Sequence, residues 1–308
     1  MNKVALIIIY NHQYNKNIDV LENIYSKRFS NIYHLVPFYY GEKQNVIPVY
    51  ECSYYFQGYI SQGLKSFYDE AFKHYFFIAD DLILNPIINE NNYAEHLKLN
   101  LNTCFIPGFI PLHDNKKLWA RLGDAYRWSI NVSGVEAKNQ LPDYEIALSK
   151  FKKFDLTLKP LRFNQIWKTP NSIKDFGRMI LKDKYYFFRY LWSMFFIADY
   201  PLSYPMLGSY SDIFVVSSDA IKQFCHYCGV FAATKLFVEI ALPTSMVFSA
   251  NEIVQEKDIE LQGKALWTKE QLRELEIFGS SLNQLFRAFP RTYLYLHPVK
   301  LSKWNTEL

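Results

Sequence analysis

Two runs of this 308-residue chain constrain its fold more than any other feature: residues 4–10, VALIIIY, and residues 74–81, HYFFIADD. The first is apolar at every position, and so are Tyr75–Ile78 of the second. A strand with one wet face alternates apolar and polar residues, so an unbroken apolar strand must be covered on both faces. Helical periodicity lies between the two runs. Residues 17–29 place Ile18, Leu21, Ile24 and Tyr25 on one helical face, and residues 61–73 place Leu64, Phe67, Tyr68, Ala71 and Phe72 on another. NIYHLVPFY and NVIPVYE read as further strands. Strands alternating with helices predict an α/β fold, a Rossmann-type, mostly parallel sheet flanked by helices.

Residues 111–200 change character. LPDYEIALSKFKKFD reads as a helix with a basic face, and residues 181–200 read as a longer, strongly aromatic helix. No Gly-, Ser- or Pro-rich linker separates this section, so it is read as a helical insertion within a single domain covering 1–308. The apolar residues of 181–200 surround the helix, which favours burial. The other reading sets Lys182, Lys184 and Arg189 on anionic lipid, a peripheral membrane contact. After residue 200 a Gly-led strand, GSYSDIFVVS, is followed by a helix from Ser218 or Asp219. KLFVEIALPTSM is helical or extended and stops at Pro243. The tail gives one helix over 268–289, broken by Pro290, and a short strand, TYLYLHP.

The formal net charge of +4 is too small to argue for nucleic acid and is compatible with an anionic small ligand or an anionic bilayer. The apolar run near Met1 is too short for a secretory or spanning segment, and a cytoplasmic setting is expected. Cys225 and Cys228 form a Cys-x-x-Cys, but a second pair at similar spacing is missing, so they read as ordinary helical cysteines. No Gly-x-Gly-x-x-Gly or P-loop sequence occurs.

The run FFIADD ends in two adjacent carboxylates, Asp80 and Asp81. Like charges side by side at the end of a buried strand need a cation or donors, or else a solvated turn. Ligands of open α/β sheets bind beyond the carboxyl ends of the strands, which favours a site. FIADDLILNP, with its apolar strand running into Ala79-Asp80-Asp81, resembles the Asp-x-Asp type motif of GT-A fold glycosyltransferases. The match covers the N-terminal alternating region and, more loosely, the whole chain. The resemblance implies a nucleotide-sugar donor, most simply a UDP-sugar, and Mn²⁺ or Mg²⁺ on its diphosphate. Residues 1–110 become the donor-binding half, 111–200 the insertion, and 201–308 the acceptor half with a C-terminal metal and diphosphate element. Asp81 is then the candidate metal ligand and Asp80 a contact to ribose or metal-bound water. YLYLHPVKLSKW resembles the family's chain end, with His297 completing the metal shell and Lys300 on the diphosphate; the alternative for His297 is a turn histidine.

Glu239 is a lone acid in an apolar run, a pattern that needs a reason. In the resembling inverting enzymes an acid at a helix start is the base for the acceptor hydroxyl; the alternative is a buried ion pair. Asp212, after Gly208, would bind sugar hydroxyls, or is a strand-start acid. The nucleobase is expected near Tyr10 and Asn11 and over Tyr55 and Gln57, although tyrosines this abundant (24 of them) are more often in cores. Gly58 and Gly63 flank Ser61 at an expected helix start, a place for phosphate. The implied acceptor is a glycan or lipid-linked glycan of a bacterial surface polysaccharide or lipopolysaccharide pathway. Rival readings are a non-catalytic sugar- or nucleotide-binding protein and a sugar nucleotidyltransferase.

Overall fold

The computed structural model describes residues 3–114, 120–168, 172–182 and 184–308. Strand β1 (Lys3–Ile9) lies inside the main sheet. It pairs in parallel with β2 (Ile32–Pro37) and β4 (Phe72–Ala79), and β3 (Val46–Val49) extends the parallel half. Beyond β4, β7 (Ile213–Ser217) runs antiparallel to both β4 and β6 (Thr103–Ile106), and β8 (Glu252–Gln255) pairs in parallel with β6. Among the described residues the order is β3-β2-β1-β4-β7-β6-β8, seven strands, mostly parallel. The unbroken apolar run of β1 has the expected meaning. Val4, Leu6 and Ile8 enter one core, and Ala5, Ile7 and Ile9 enter the core on the other face. The neighbouring strands lock in register through rings, with Phe77 stacked on Phe214 at 4.7 Å.

On the first face lie α1 (Asn15–Tyr25), the short α3 (Tyr93–His96) and α12 (Leu282–Arg287); on the second lie α2 (Gln57–Phe67), α9 (Ile221–Ala233) and α10 (Val238–Ser249). Ser61 is not a helix start: it sits inside α2, turned onto α9. A Cβ on Gly229 of α9 would come within 2.5 Å of the Ser61 Oγ, so the glycine permits the close helix approach. Helix α2 also ends before the expected residue 73. Tyr68 turns to an extended ψ of 128°, and the Asp69 carboxylate accepts from the Ala71 amide, an Asx turn that leads into β4. Cys225 and Cys228 are buried along α9, and burial pushes both thiols up.

A second sheet sets the C-terminal end of the chain against β4. Its central β10 (Tyr293–His297) runs antiparallel to β5 (Ile83–Leu84) and parallel to β9 (Gln262–Ala265). Asn85 donates its side-chain amide to the Tyr293 carbonyl at 2.7 Å, tying the segment just after Asp81 to β10. The single tail helix expected over 268–289 is in fact two. Helix α11 (Lys269–Leu272), capped by Thr268, runs into a 3-10 segment that stops at Gly279, whose φ of +54° is the left-handed conformation that ends helices. Ser281 then opens α12.

Helices α4 (Ala120–Arg127), α5 (Tyr144–Lys153), α6 (Phe163–Ile166), α7 (Ile173–Lys182) and α8 (Lys184–Phe196) belong to the section read as an insertion. Their core is shared: Leu122, Trp128 and Phe151 lie in one cluster with Phe231 of α9 and Ile240 and Phe248 of α10. Asp143 caps α5 by accepting from the Ile146 amide at 2.8 Å. The expected burial of the aromatic helix is not found. Tyr190 and Ser193 are the buried side chains of α8, while Tyr185, Phe188, Trp192 and Phe195 stand exposed. Among the described residues no helix is long and apolar enough to cross a membrane.

Candidate functional site

Asp80 and Asp81 sit where β4 leaves the sheet. The Asp80 amide donates to Ile9 O at 2.9 Å, so the carboxylates lie at the carboxyl end of the parallel pair β1–β4. The Asp80 side chain is buried, and Asn17 of α1 donates to its Oδ2 at 3.3 Å. Its carboxyl is pushed up to about 7, by burial first and by the adjacent Asp81 charge second; Asn17 and the Asn11 backbone work against the rise. The charged form of such a group is stabilised by a nearby cation or by further donors.

Asp81 is fixed by its backbone, its carbonyl accepting from the Val299 amide at 2.7 Å. That bond carries the chain end to the site and places His297 Nε2 3.1 Å from Asp81 Oδ1. The contact has ion-pair distance without hydrogen-bond geometry, and among the described residues Asp81 Oδ1 and His297 Nδ1 are buried polar atoms lacking a hydrogen-bond partner. Asp212 Oδ2 lies 3.9 Å from the same Nε2. Burial alone would lower the imidazole; Asp81, Asp212 and Asp80 outweigh it, and the net shift is upward. Tyr210 and Trp267 hold the ring in place at 5.8 and 5.7 Å, and Tyr210 in turn stacks on Tyr295.

The pair fits a divalent cation. Two neighbouring ligands of an octahedral ion with bonds of about 2.1 Å stand about 3 Å apart, close to the observed oxygen–nitrogen separation. The carboxylate oxygen suits Mg²⁺ or Mn²⁺, and the imidazole nitrogen suits a first-row transition ion better than Mg²⁺, which leaves Mn²⁺ as the ion of the two that tolerates both. Among the described residues no group of three or more His, Cys, Asp or Glu is placed to hold a metal. The remaining ligands would have to come from phosphate and water, the usual arrangement for an ion that accompanies a nucleotide.

Glu239 and Asp212 arrive by a different route. Helix α10 does not stop at Pro243 but runs through it. Proline lacks the amide that would bond the carbonyl four residues earlier, which belongs to Glu239. That carbonyl accepts instead from the Ser209 amide at 2.9 Å. The break in the helix ladder therefore fastens the first turn of α10 to the segment that leads into Asp212. Asp212 itself stands at the start of β7, at the same sheet end as Asp80, since the Ala79 amide donates to its carbonyl at 2.9 Å. Glu239 is pushed up to about 7, by burial first and by the Asp212 charge second, with Arg121 opposing. Asp212 is also raised, mainly by burial, with His297 opposing. A carboxyl near 7 is suited to taking a proton at neutral pH.

Asp80, Asp81, Asp212, Glu239 and His297 are thus brought together. Two proposed base contacts are not available. The Tyr10 side chain is fully buried and continues the even-numbered face of β1 into the α1 core, its hydroxyl 2.9 Å from His34 Nδ1. Gln57 is fully buried and donates to Leu236 O at 2.8 Å. Tyr10→Phe is expected to lower unfolding stability by about 1 kcal/mol, the worth of one hydrogen bond, as measured by denaturant unfolding. Asn11 is half-buried in the bend after β1, its backbone beside Asp80. Tyr55, with Lys235 over its ring at 5.0 Å, lines a cavity of about 420 Å³ together with Arg121 and Phe237. Lys300 is exposed, in the turn just past His297 and Val299.

A larger cavity, about 660 Å³, opens beside Asn17 between the start of α1 and the chain end; Gln13, Tyr14, Lys16, Leu301 and Trp304 line it. Apart from Asn11 next door, the sequence drew attention to none of these side chains. The signal was positional: this loop leaves the first parallel strand, where such sheets bind ligands. No family model matches the chain, and comparison with curated proteins gives no match.

Proposed function

We propose that the protein is a metal-dependent glycosyltransferase of GT-A type, moving a sugar from a nucleotide-sugar donor, most simply a UDP-sugar, to a hydroxyl of a glycan acceptor with inversion at the anomeric carbon. One observation carries the reading. Residues from four separate places in the chain, 80–81, 212, 239 and 297, converge at the carboxyl end of the parallel strands. A solvated turn would explain the first two and none of the others.

The donor base and ribose take the cavity beside Asn17 and Trp304, with Asp80 reaching the ribose. Asp81 and His297 would hold a divalent cation, whose charge neutralises the departing diphosphate. Lys300, in the adjoining turn, adds a second positive group for that diphosphate. Asp212 positions sugar hydroxyls. Glu239 takes the proton of the acceptor hydroxyl as the new carbon–oxygen bond forms at the anomeric carbon and the bond to the diphosphate breaks, with the electron pair leaving on the nucleoside diphosphate. Every atom needed for the transfer is supplied by the two substrates and Glu239.

Titration calorimetry with UDP and Mn²⁺, alone and combined, tests the reading. Cooperative binding of the two supports it; the same weak UDP binding with and without Mn²⁺ rejects it. His297→Ala is expected to weaken Mn²⁺ affinity by roughly tenfold or more in the presence of UDP. Coincident metal titrations of variant and parent would leave His297 as a turn residue.

A further inference from the structure

Helix α8 carries its largest apolar side chains on the side turned away from the body. Successive residues of a helix are rotated by about 100°. Tyr185, Phe188, Trp192, Phe195 and Phe196 therefore fall within an arc of about 100°, and they are 72, 67, 61, 70 and 69 % exposed. The buried pair Tyr190 and Ser193 lies on a different face of the same helix. Lys184 and Arg189 border the aromatic arc, one on each side and about 20° beyond it. The helix has no acid of its own. Preceding it, Leu181 is 85 % exposed, and α7 adds Lys174 and Arg178 against Asp175, which pairs with Arg178 at 3.4 Å. The Lys182 side chain lies outside the described residues. Tyr185, Phe188 and Trp192 of the arc, with Arg189, also line a mostly aromatic cleft of about 360 Å³ whose other wall includes Tyr126, Trp167 and Tyr200.

We infer that α8 is a docking surface for an anionic lipid bilayer, lying in the plane of the interface with the aromatic arc in the headgroup and acyl boundary and Lys184 and Arg189 on lipid phosphates. Tyr185 and Trp192, with a polar edge on an apolar body, favour that depth, the three phenylalanines enter the acyl boundary, and flanking cations with long stems reach back to the phosphates. Charge selects this occupant over a second copy of the chain. A second copy of α8 offers Lys184 and Arg189 no carboxylate, since the helix has none, whereas an anionic bilayer neutralises both. The inference does not depend on the catalytic reading, since it uses none of the site residues.

Co-sedimentation of the full chain with vesicles decides the matter, comparing phosphatidylcholine alone with a phosphatidylcholine–phosphatidylglycerol mixture at low and high salt. Binding to the anionic vesicles is expected to be tenfold or more tighter than to the neutral ones, and weaker at high salt. The double variants Phe188→Ser with Trp192→Ser, and Lys184→Glu with Arg189→Glu, are each expected to lose tenfold or more of that binding. Their melting temperatures should match the parent, because all four side chains leave the core intact. Parent protein that stays in the supernatant, or variants that sediment as the parent does, overturn the inference. So does a concentration-dependent dimer, seen by size-exclusion chromatography without lipid and dispersed by the aromatic double variant, which would make a second copy the occupant.

Discussion

Glu239→Gln is expected to cut turnover by roughly a hundredfold or more, the range for loss of a general base, with affinity for UDP and Mn²⁺ unchanged. The amide keeps the shape of the carboxyl but cannot take a proton, so the loss falls on the transition state and not on donor binding. The carboxyl sits near 7 because of burial and the Asp212 charge. The base form is the deprotonated one, so kcat/KM of the parent should fall as pH drops through about 7, and that limb should vanish in the variant. Asp80 is also raised to about 7. A limb that survives the substitution therefore belongs to Asp80. Stability gives an independent check. A carboxyl whose folded value is raised favours the folded state while protonated, and that contribution is lost as pH rises from the ordinary carboxyl range through about 7. Above that pH the charged form beside Asp212 is a burden, so Glu239→Gln should melt at the parent temperature or higher. If Glu239 instead anchors Arg121 structurally, the variant melts lower and its activity falls only with the folded fraction. NMR of the product should show an inverted anomeric centre; a retained one would falsify the base assignment.

The legible parts of this fold share one property: their side-chain pattern alone fixes their environment. Strands β1 and β4 are apolar on both faces, so only an interior position suits them, and α1 shows its buried stripe at helical spacing. Strands β5, β6, β8 and β9 were not visible. They are two to four residues long, and β8 is mostly half-exposed; such segments are extended because their neighbours offer hydrogen bonds, which no local pattern records. Pro243 misled because propensity reports the cost of a missing amide but not the partner that compensates for it, here Ser209. Apolar residues all round α8 suggested a buried helix, while the surface available to receive them depends on the tertiary arrangement. Asp80, Asp81 and Glu239 drew attention because charge next to an apolar run is conspicuous, whereas Asp212 and His297 were singled out by the resemblance of their segments to the GT-A pattern. Tyr10 and Gln57 were given the wrong side-chain direction. Direction follows from the alternation of the strand for Tyr10, and from the α2 interface with Leu236 for Gln57. Asn17 and Trp304 carry no charge and stand in no pattern, so only the cavity reveals them.

Asp81→Ala is expected to remove Mn²⁺-dependent UDP binding and reduce turnover to background, and chelation of the parent should have the same effect. The fold should survive. The bond that ties Val299 to residue 81 uses the backbone carbonyl, which alanine retains, and the side chain is 25 % exposed. Removal also changes His297 in a way that can be read without any substrate. Its imidazole is raised by Asp81, Asp212 and Asp80 acting against burial. With Asp81 gone, burial gains, and the His297 resonance should titrate at lower pH than in the parent. An imidazole released to solvent would also titrate lower than the raised parent, so the shift is read beside an unchanged melting transition, which shows that a loss of metal binding is not due to a collapsed site. Asp81→Asn separates charge from shape: it keeps one oxygen facing His297 but provides no anion, and it should bind Mn²⁺ nearly as poorly as alanine does. If Asp81→Ala shows the parent's Mn²⁺ dependence, or the parent turns over at full rate in excess chelator, Asp81 and His297 form only an ion pair that clamps the chain end to β4, and charge neutralisation of the leaving group must come from cationic side chains such as Lys300.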